Sequence, residues 1–251
     1  MRFKLTRRSL TAVLAVVLAA ALGAFVMLDL VFADRLTPAR AAVMLEKNSP
    51  QLVSVLKAKF AADFTRIVTA TVEAKQELDG GMPLSGLLDR QTRPIAERLD
   101  DEARSAPPEL VAEWMNRLAD AWNAVESVAG PQLCARFVNE GPSVLSDPVM
   151  LEALEPAFDA RDAALFAALA GARDTPTAMP VGEATVEDGL AIDAAMSGLE
   201  VPAGYAQIIR TDDTESRDYC AALAYFYRTV ADLPGESGQR IRAEYFVQSL
   251  S

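Results

Sequence analysis

The sequence predicts an all-α protein, with an N-terminal transmembrane signal-anchor helix followed by a multi-helix, bundle-like extracytoplasmic domain. Three observations carry that prediction. Apolar residues recur at three- and four-residue steps through most of the chain, as one buried helix face requires. The periodic segments are separated by Pro and Gly breakers. Strand-type alternation is nearly absent, with only Tyr205–Ile209 alternating weakly.

The first element is the apolar run Leu10–Leu28, broken only by Thr11 and Gly23 and closed by Asp29. It has roughly the twenty residues needed to cross a hydrocarbon core of about 30 Å. A cleavable leader usually has a shorter apolar region, about 7–15 residues. Length therefore favours a retained anchor over residues 10–33, behind a basic cytoplasmic tail over residues 1–9. The competing reading is a cleaved leader, since Val31-Phe32-Ala33 presents acceptable residues for cleavage before Asp34. Thr6-Arg7-Arg8-Ser9-Leu10 also resembles a twin-arginine export signal, a weak match because paired arginines are common. Arg2, Lys4, Arg7 and Arg8 precede the run, whereas charges beyond it nearly cancel, so the N-terminus stays cytoplasmic. Both readings export the domain over residues 34–251, and the expected location is a bacterial inner membrane with the bulk of the chain periplasmic.

The remaining elements follow in order. Ser49-Pro50 suits an N-cap and first helical position, and Leu52, Leu56, Phe60, Phe64, Ile67 and Val72 trace one helix up to Gly80-Gly81. Leu84, Leu87, Leu88, Ile95 and Leu99 outline a second, bent or restarted at Pro94. Pro107-Pro108 opens a third, which carries Trp114 and Trp122 on one stripe and ends at Gly130. These tryptophans read as core side chains in preference to a stacking site. A short helix over QLCARFV follows, then one capped by Ser146-Asp147-Pro148, whose alanine-rich later part permits close approach of a neighbour. Asp174–Gly182 is the best linker candidate, and a subdivision of the domain is expected near residues 174–184. Thr185 and Asp188 suggest the next helix start, although a capping box prefers Glu or Gln at the second position. Helices over Thr214–Asp232 and Arg240–Leu250 complete the chain.

Charge and composition exclude more than they assign. The leader holds four of the 24 basic and one of the 35 acidic residues, leaving 20 against 34 and a net charge of −14 on the exported part. Such a surface repels phosphate backbones, so nucleic acid is not an expected partner. The chain contains no histidine, which removes Ser-His-Asp and Cys-His catalysis and every His-ligated metal site. Two cysteines alone make neither a Cys₄ zinc site nor a protein-ligated iron–sulfur cluster. No nucleophile-elbow, SxxK, P-loop or GxGxxG pattern is present. No catalytic, cofactor-binding or metal-ligating residue is therefore assigned, and no cofactor is expected.

The pair that is assigned is Cys134 with Cys220. Each lies on the apolar stripe of its helix, and an exported chain with an even cysteine count meets an oxidising environment. A disulfide is expected, the alternative being two inert core thiols. The acidic run Asp212–Asp218 lacks the ligand spacing of a calcium loop and is expected to serve a helix N-terminus.

By exclusion, the chain reads as a non-catalytic interaction, scaffold or accessory subunit of an envelope complex. Its expected partners are an envelope protein and the lipid bilayer. Thr11, Ala15, Ala19 and Gly23 repeat at four-residue steps and make a homodimer a secondary expectation. Two other classes compete: a carboxylate-dependent, glycan-acting envelope enzyme, and a helical small-molecule binding or sensor domain.

The anchor has a direct test. Intact mass and cell fractionation of the native protein should find the full chain in the membrane fraction; a soluble species beginning at Asp34 would make the stretch a discarded leader.

Overall fold

A computed structural model describes residues 35–140, 144–145, 147–176, 182–198 and 201–250. The expected anchor over Leu10–Leu28 lies outside the described residues. Among those described, no helix is long and apolar enough to cross a membrane.

Twelve α-helices and no strand occur among the described residues. They are α1 (Pro38–Asn48), α2 (Pro50–Lys59), α3 (Ala61–Glu73), α4 (Lys75–Asp79), α5 (Leu84–Arg98) and α6 (Pro108–Ala129). Then follow α7 (Pro131–Glu140), α8 (Pro148–Asp174), α9 (Val186–Met196), α10 (Tyr205–Thr211), α11 (Tyr219–Asp232) and α12 (Gly235–Gln248). A 3₁₀ turn, Ala103–Ser105, precedes α6.

The centre is α6, which packs on α8 along one side and α11 along another. The alanine-rich end of α8 makes its side possible. Ala168, Leu169, Ala170 and Ala172 are all buried, and Gly171 sits where a Cβ would come within 2.7 Å of Leu110 and 2.8 Å of Pro107. Any side chain there would push the helices apart. α8 also receives α2; α1 and α3 pack on α2, and α5 packs on α3 and α1. Beyond α11 lie α9, α10 and α12. One core cluster gathers residues on both sides of the expected linker, among them Phe166, Leu169, Met196, Phe226 and Phe246. Part of that linker, residues 177–181, lies outside the described residues.

Several expected boundaries move, each for a tertiary reason. The segment read as one helix from Pro50 up to Gly80-Gly81 is three, α2, α3 and α4, interrupted at Ala74 and broken at Phe60, whose backbone leaves the helical region (φ −132°, ψ 46°). Phe60 turns inward, 2 % exposed, edge-on to Phe166 at 5.9 Å. Arg173 covers its ring at 4.7 Å and donates 2.9 Å to the Lys59 carbonyl that the break frees. No Pro or Gly marks this break, so a propensity reading runs through it. Conversely, α5 continues through Pro94 and α8 through Pro156, each losing one backbone bond while lateral packing holds the helix. Tyr205–Ile209 is helical, and α10 ends at Asp212 in the left-handed region (φ 49°).

α11 starts at Tyr219, later than expected, and the acidic run before it forms turns. Asp218 occupies the N-cap position without a side-chain cap, so the run does not serve the helix end as expected. Its first member, Asp212, instead accepts the Tyr219 hydroxyl at 2.5 Å. The capping box of α9 does form, with Asp188 in the place of Glu or Gln: Thr185 N–H donates to Asp188 at 2.8 Å and Asp188 N–H to Thr185 at 3.4 Å. Arg240 on α12 adds two bonds of 2.8 Å to the same carboxylate, tying α9 to α12 and holding the Asp188 carboxyl far below the usual carboxylate range.

Cys134 on α7 and Cys220 on α11 form a disulfide, with a Cα separation of 6.2 Å. Both are buried in a second apolar cluster with Val125, Phe137, Leu145 and Leu154. The bridge pins the short α7 to α11, which packs along the central α6.

The bridge spans a sequence separation of 86 residues, for which the chain-entropy model gives about 4–5 kcal/mol of stabilisation. Cys134→Ser/Cys220→Ser should lower the unfolding free energy by up to that amount in urea titrations. Reductant should have no effect on this variant and destabilise the parent. Two freely alkylated thiols in unreduced parent protein would refute the bond.

Candidate functional site

The site is built on one stripe of α8. Leu151, Glu155, Asp159 and Asp162 fall at successive three- and four-residue steps, with Phe158 three residues from Glu155 and four from Asp162, and therefore share a face. Opposite stand Pro83 and the first turns of α5, with Ser85, Leu88 and Asp89. The junction of α1 and α2 closes the inner end through Asn48, Ser49 and Leu52. Phe137 of α7 and Leu145 form the outer side wall. The result is a continuous cleft, with an outer chamber of about 630 Å³ and an inner recess of about 90 Å³. The outer chamber falls within the range of about 300–1,000 Å³ typical of small-molecule sites.

Four carboxylates line it, and they are not equivalent. Asp159 is buried and wholly committed: Oδ2 accepts from Gln51 N–H and Oδ1 from Leu52 N–H, both at 2.9 Å. These are the second and third residues of α2, so Asp159 does from α8 what Ser49 was expected to do locally. Ser49 makes no side-chain cap bond. The cap fastens the start of α2 to the middle of α8 and sets the inner wall.

Asp162 is clamped at one atom. Arg161 Nε donates to its Oδ1 at 2.8 Å and Arg161 Nη2 lies 2.6 Å from the same oxygen, leaving Oδ2 without a donor. Its side chain is 32 % exposed. Desolvation pushes the Asp162 carboxyl above its ordinary range, Arg161 pulls it back, and the negative charges of Asp89 and Asp159 push it up again. Glu155 has no ion-pair or hydrogen-bond partner among the described residues. It too is pushed up, first by desolvation and then by Glu152 one turn away. Asp89 sits at the exposed rim, 3.3 Å from Arg93, in a pair of the kind that contributes little.

The aromatic wall is equally specific. Phe137 and Phe158 stack with rings 15° apart and centroids separated by 6.1 Å. Trp122 meets Phe137 edge-on at 5.7 Å, and the Arg161 guanidinium lies 5.0 Å from the Phe158 centroid. Trp122 thus backs the wall without lining the cleft. Trp114, 4 % exposed and edge-on to Phe246 at 5.3 Å, is core as expected. Cys134 and Cys220 do not line the cleft, but their bond holds α7 and with it Phe137.

No residue of the cleft was singled out from the sequence as a site residue; Ser49 was named only as a cap and Leu52 and Leu88 only as apolar-face positions. The spacing of Glu155, Asp159 and Asp162 around Phe158 was visible as an acidic stripe, but nothing local says that Pro83–Asp89 lies across from it. Among the described residues no group of three or more Cys, Asp or Glu is placed to hold a metal ion.

The cap is the most testable contact of the site. Asp159→Ala should destabilise the protein by about 2–3 kcal/mol, because it removes a helix cap and leaves two covered N–H groups unpaired. Asp159→Asn should fall between this variant and the parent in urea unfolding. A loss below about 0.5 kcal/mol for Asp159→Ala would show that α2 does not depend on it.

This chain matches no protein-family model, no curated protein and no solved structure.

Proposed function

We propose that this protein is a membrane-tethered extracytoplasmic binding domain that serves an envelope complex as an interaction or accessory subunit, with the cleft between α5 and α8 as its working surface. The tether is the apolar run Leu10–Leu28, and the buried disulfide fits an oxidising compartment. The observation that carries the reading is a preformed cavity of about 630 Å³ with apolar and aromatic walls and a few converging polar groups, the usual composition of a ligand site.

The state of the carboxylates favours binding over turnover. Acid–base catalysis needs a pair free to exchange protons. Here Asp159 is consumed by the α2 cap and Asp162 is clamped by Arg161 at one oxygen, which leaves Glu155 as the cleft carboxylate with no partner among the described residues. The carboxylate-enzyme reading keeps specific support in the upward push on both Asp162 and Glu155, which line the same cleft.

A photo-reactive residue introduced at Ser85, on the cleft rim, should give a defined adduct in intact cells. The same residue at Val186, exposed on α9 and outside the cleft lining, should not. Equal labelling at both positions, or none at either, would remove the cleft as the working surface. Loss of an envelope-glycan activity in Asp162→Asn, with folding and adduct formation intact, would install the enzyme reading in its place.

A further inference from the structure

We propose that the cleft takes an organic cation: a molecule with an ammonium or amidinium head and an apolar body, held with the head at Glu155 and Asp162 and the body against Phe158 and Phe137. The proposal rests on the reading of the cleft as a ligand site and adds the charge and shape of the ligand.

Charge comes first. Asp89, Glu155, Asp159 and Asp162 line the cleft against the single base Arg161. Arg161 is spent on Asp162, and it uses only Oδ1. Glu155 and Asp162 both line the cavity, and Glu155 and the Oδ2 of Asp162 have no donor among the described residues. A cation supplies what both lack, whereas an anion would meet four carboxylates with no free base to receive it.

The chain carries its own precedent for how such a head is held. Arg161 places a planar cation 5.0 Å from the Phe158 centroid and pairs it with Asp162. Aromatic face and carboxylate together are a standard receptor for organic cations.

Size and geometry point away from a bare metal ion. Among the described residues no three acidic groups converge on one point. The outer chamber, about 630 Å³, is walled by Phe137, Leu145, Leu151 and Phe158 and suits a hydrocarbon body better than a hydrated ion.

The test uses the full chain in a non-ionic detergent and three probes of similar size: benzyltrimethylammonium, neutral benzyl alcohol and anionic benzenesulfonate, each titrated calorimetrically. Benzyltrimethylammonium should bind at least tenfold more tightly than benzyl alcohol, and benzenesulfonate should not saturate. Glu155→Gln/Asp162→Asn should reduce benzyltrimethylammonium affinity at least tenfold and leave benzyl alcohol within twofold. Glu155→Gln alone, which removes no observed contact, should give an intermediate loss and guards against a folding defect in the double variant. Equal binding of the cation and the alcohol, or preference for the sulfonate, would overturn the assigned charge while the ligand site stands. Failure of all three probes to bind would overturn the ligand site itself and this proposal with it.

Discussion

The carboxylate of Asp159, accepting the Gln51 and Leu52 amides at 2.9 Å each, is the contact on which the rest of the arrangement turns. An α-helix begins with four N–H groups that have no partner of their own. In α2 that need is met from outside, by a residue more than a hundred positions away. The contact joins two helices, seals the inner end of the cleft and places a negative charge where the α2 dipole favours one. It also leaves the neighbouring acids of α8, one turn to either side, turned toward the cavity. Gly171 and the buried alanines beyond it bring the far end of the same helix against α6. One helix thus belongs to the core at its C-terminal half and to the cleft at its N-terminal half.

Three carboxylates within two turns of one helix repel one another, and the structure handles each differently. Asp159 is neutralised by backbone dipoles and Asp162 by Arg161, while Glu155 keeps contact with solvent. The remaining strain shows as the upward push on Asp162 and Glu155. Because ionising these groups is harder in the folded state, their contribution to stability is greatest at acid pH and declines as pH rises through their raised values. Asp188 has the opposite sign: Arg240, Ser237 and Thr185 favour its charged form, so its contribution is present above the ordinary carboxylate range and lost only in strong acid. A bound positive group would offset the first effect without touching the second.

The disulfide belongs to the same economy of walls. α7 is short, with ten residues, and carries Phe137 into the side of the cleft. A helix of that length is marginal alone. The bond to α11, the edge-on contact of Trp122 with Phe137 and the stacking of Phe137 on Phe158 hold it where a stable side wall is needed.

Much of the helical outline was legible from the chain. Apolar stripes mark the buried faces of α6 and α8, Pro108 and Pro148 mark their first positions and Gly130 the end of α6, because these signals act within one turn of backbone; α12 begins at Gly235, five residues before the start that its stripe suggested. Cys134 and Cys220 could be paired because only two cysteines exist. The break at Phe60, the passage of α5 through Pro94 and the late start of α11 were not legible, since packing from distant segments decides each. The cleft belongs wholly to that second kind. The sequence determined which faces are apolar, which residues carry charge and which chemistries are absent. Only the tertiary structure decided that Asp159 would cap α2 while Glu155 and Asp162 face a cavity. The reason is physical: a carboxylate's role depends on which donors surround it, and here those donors come from segments far away in the chain.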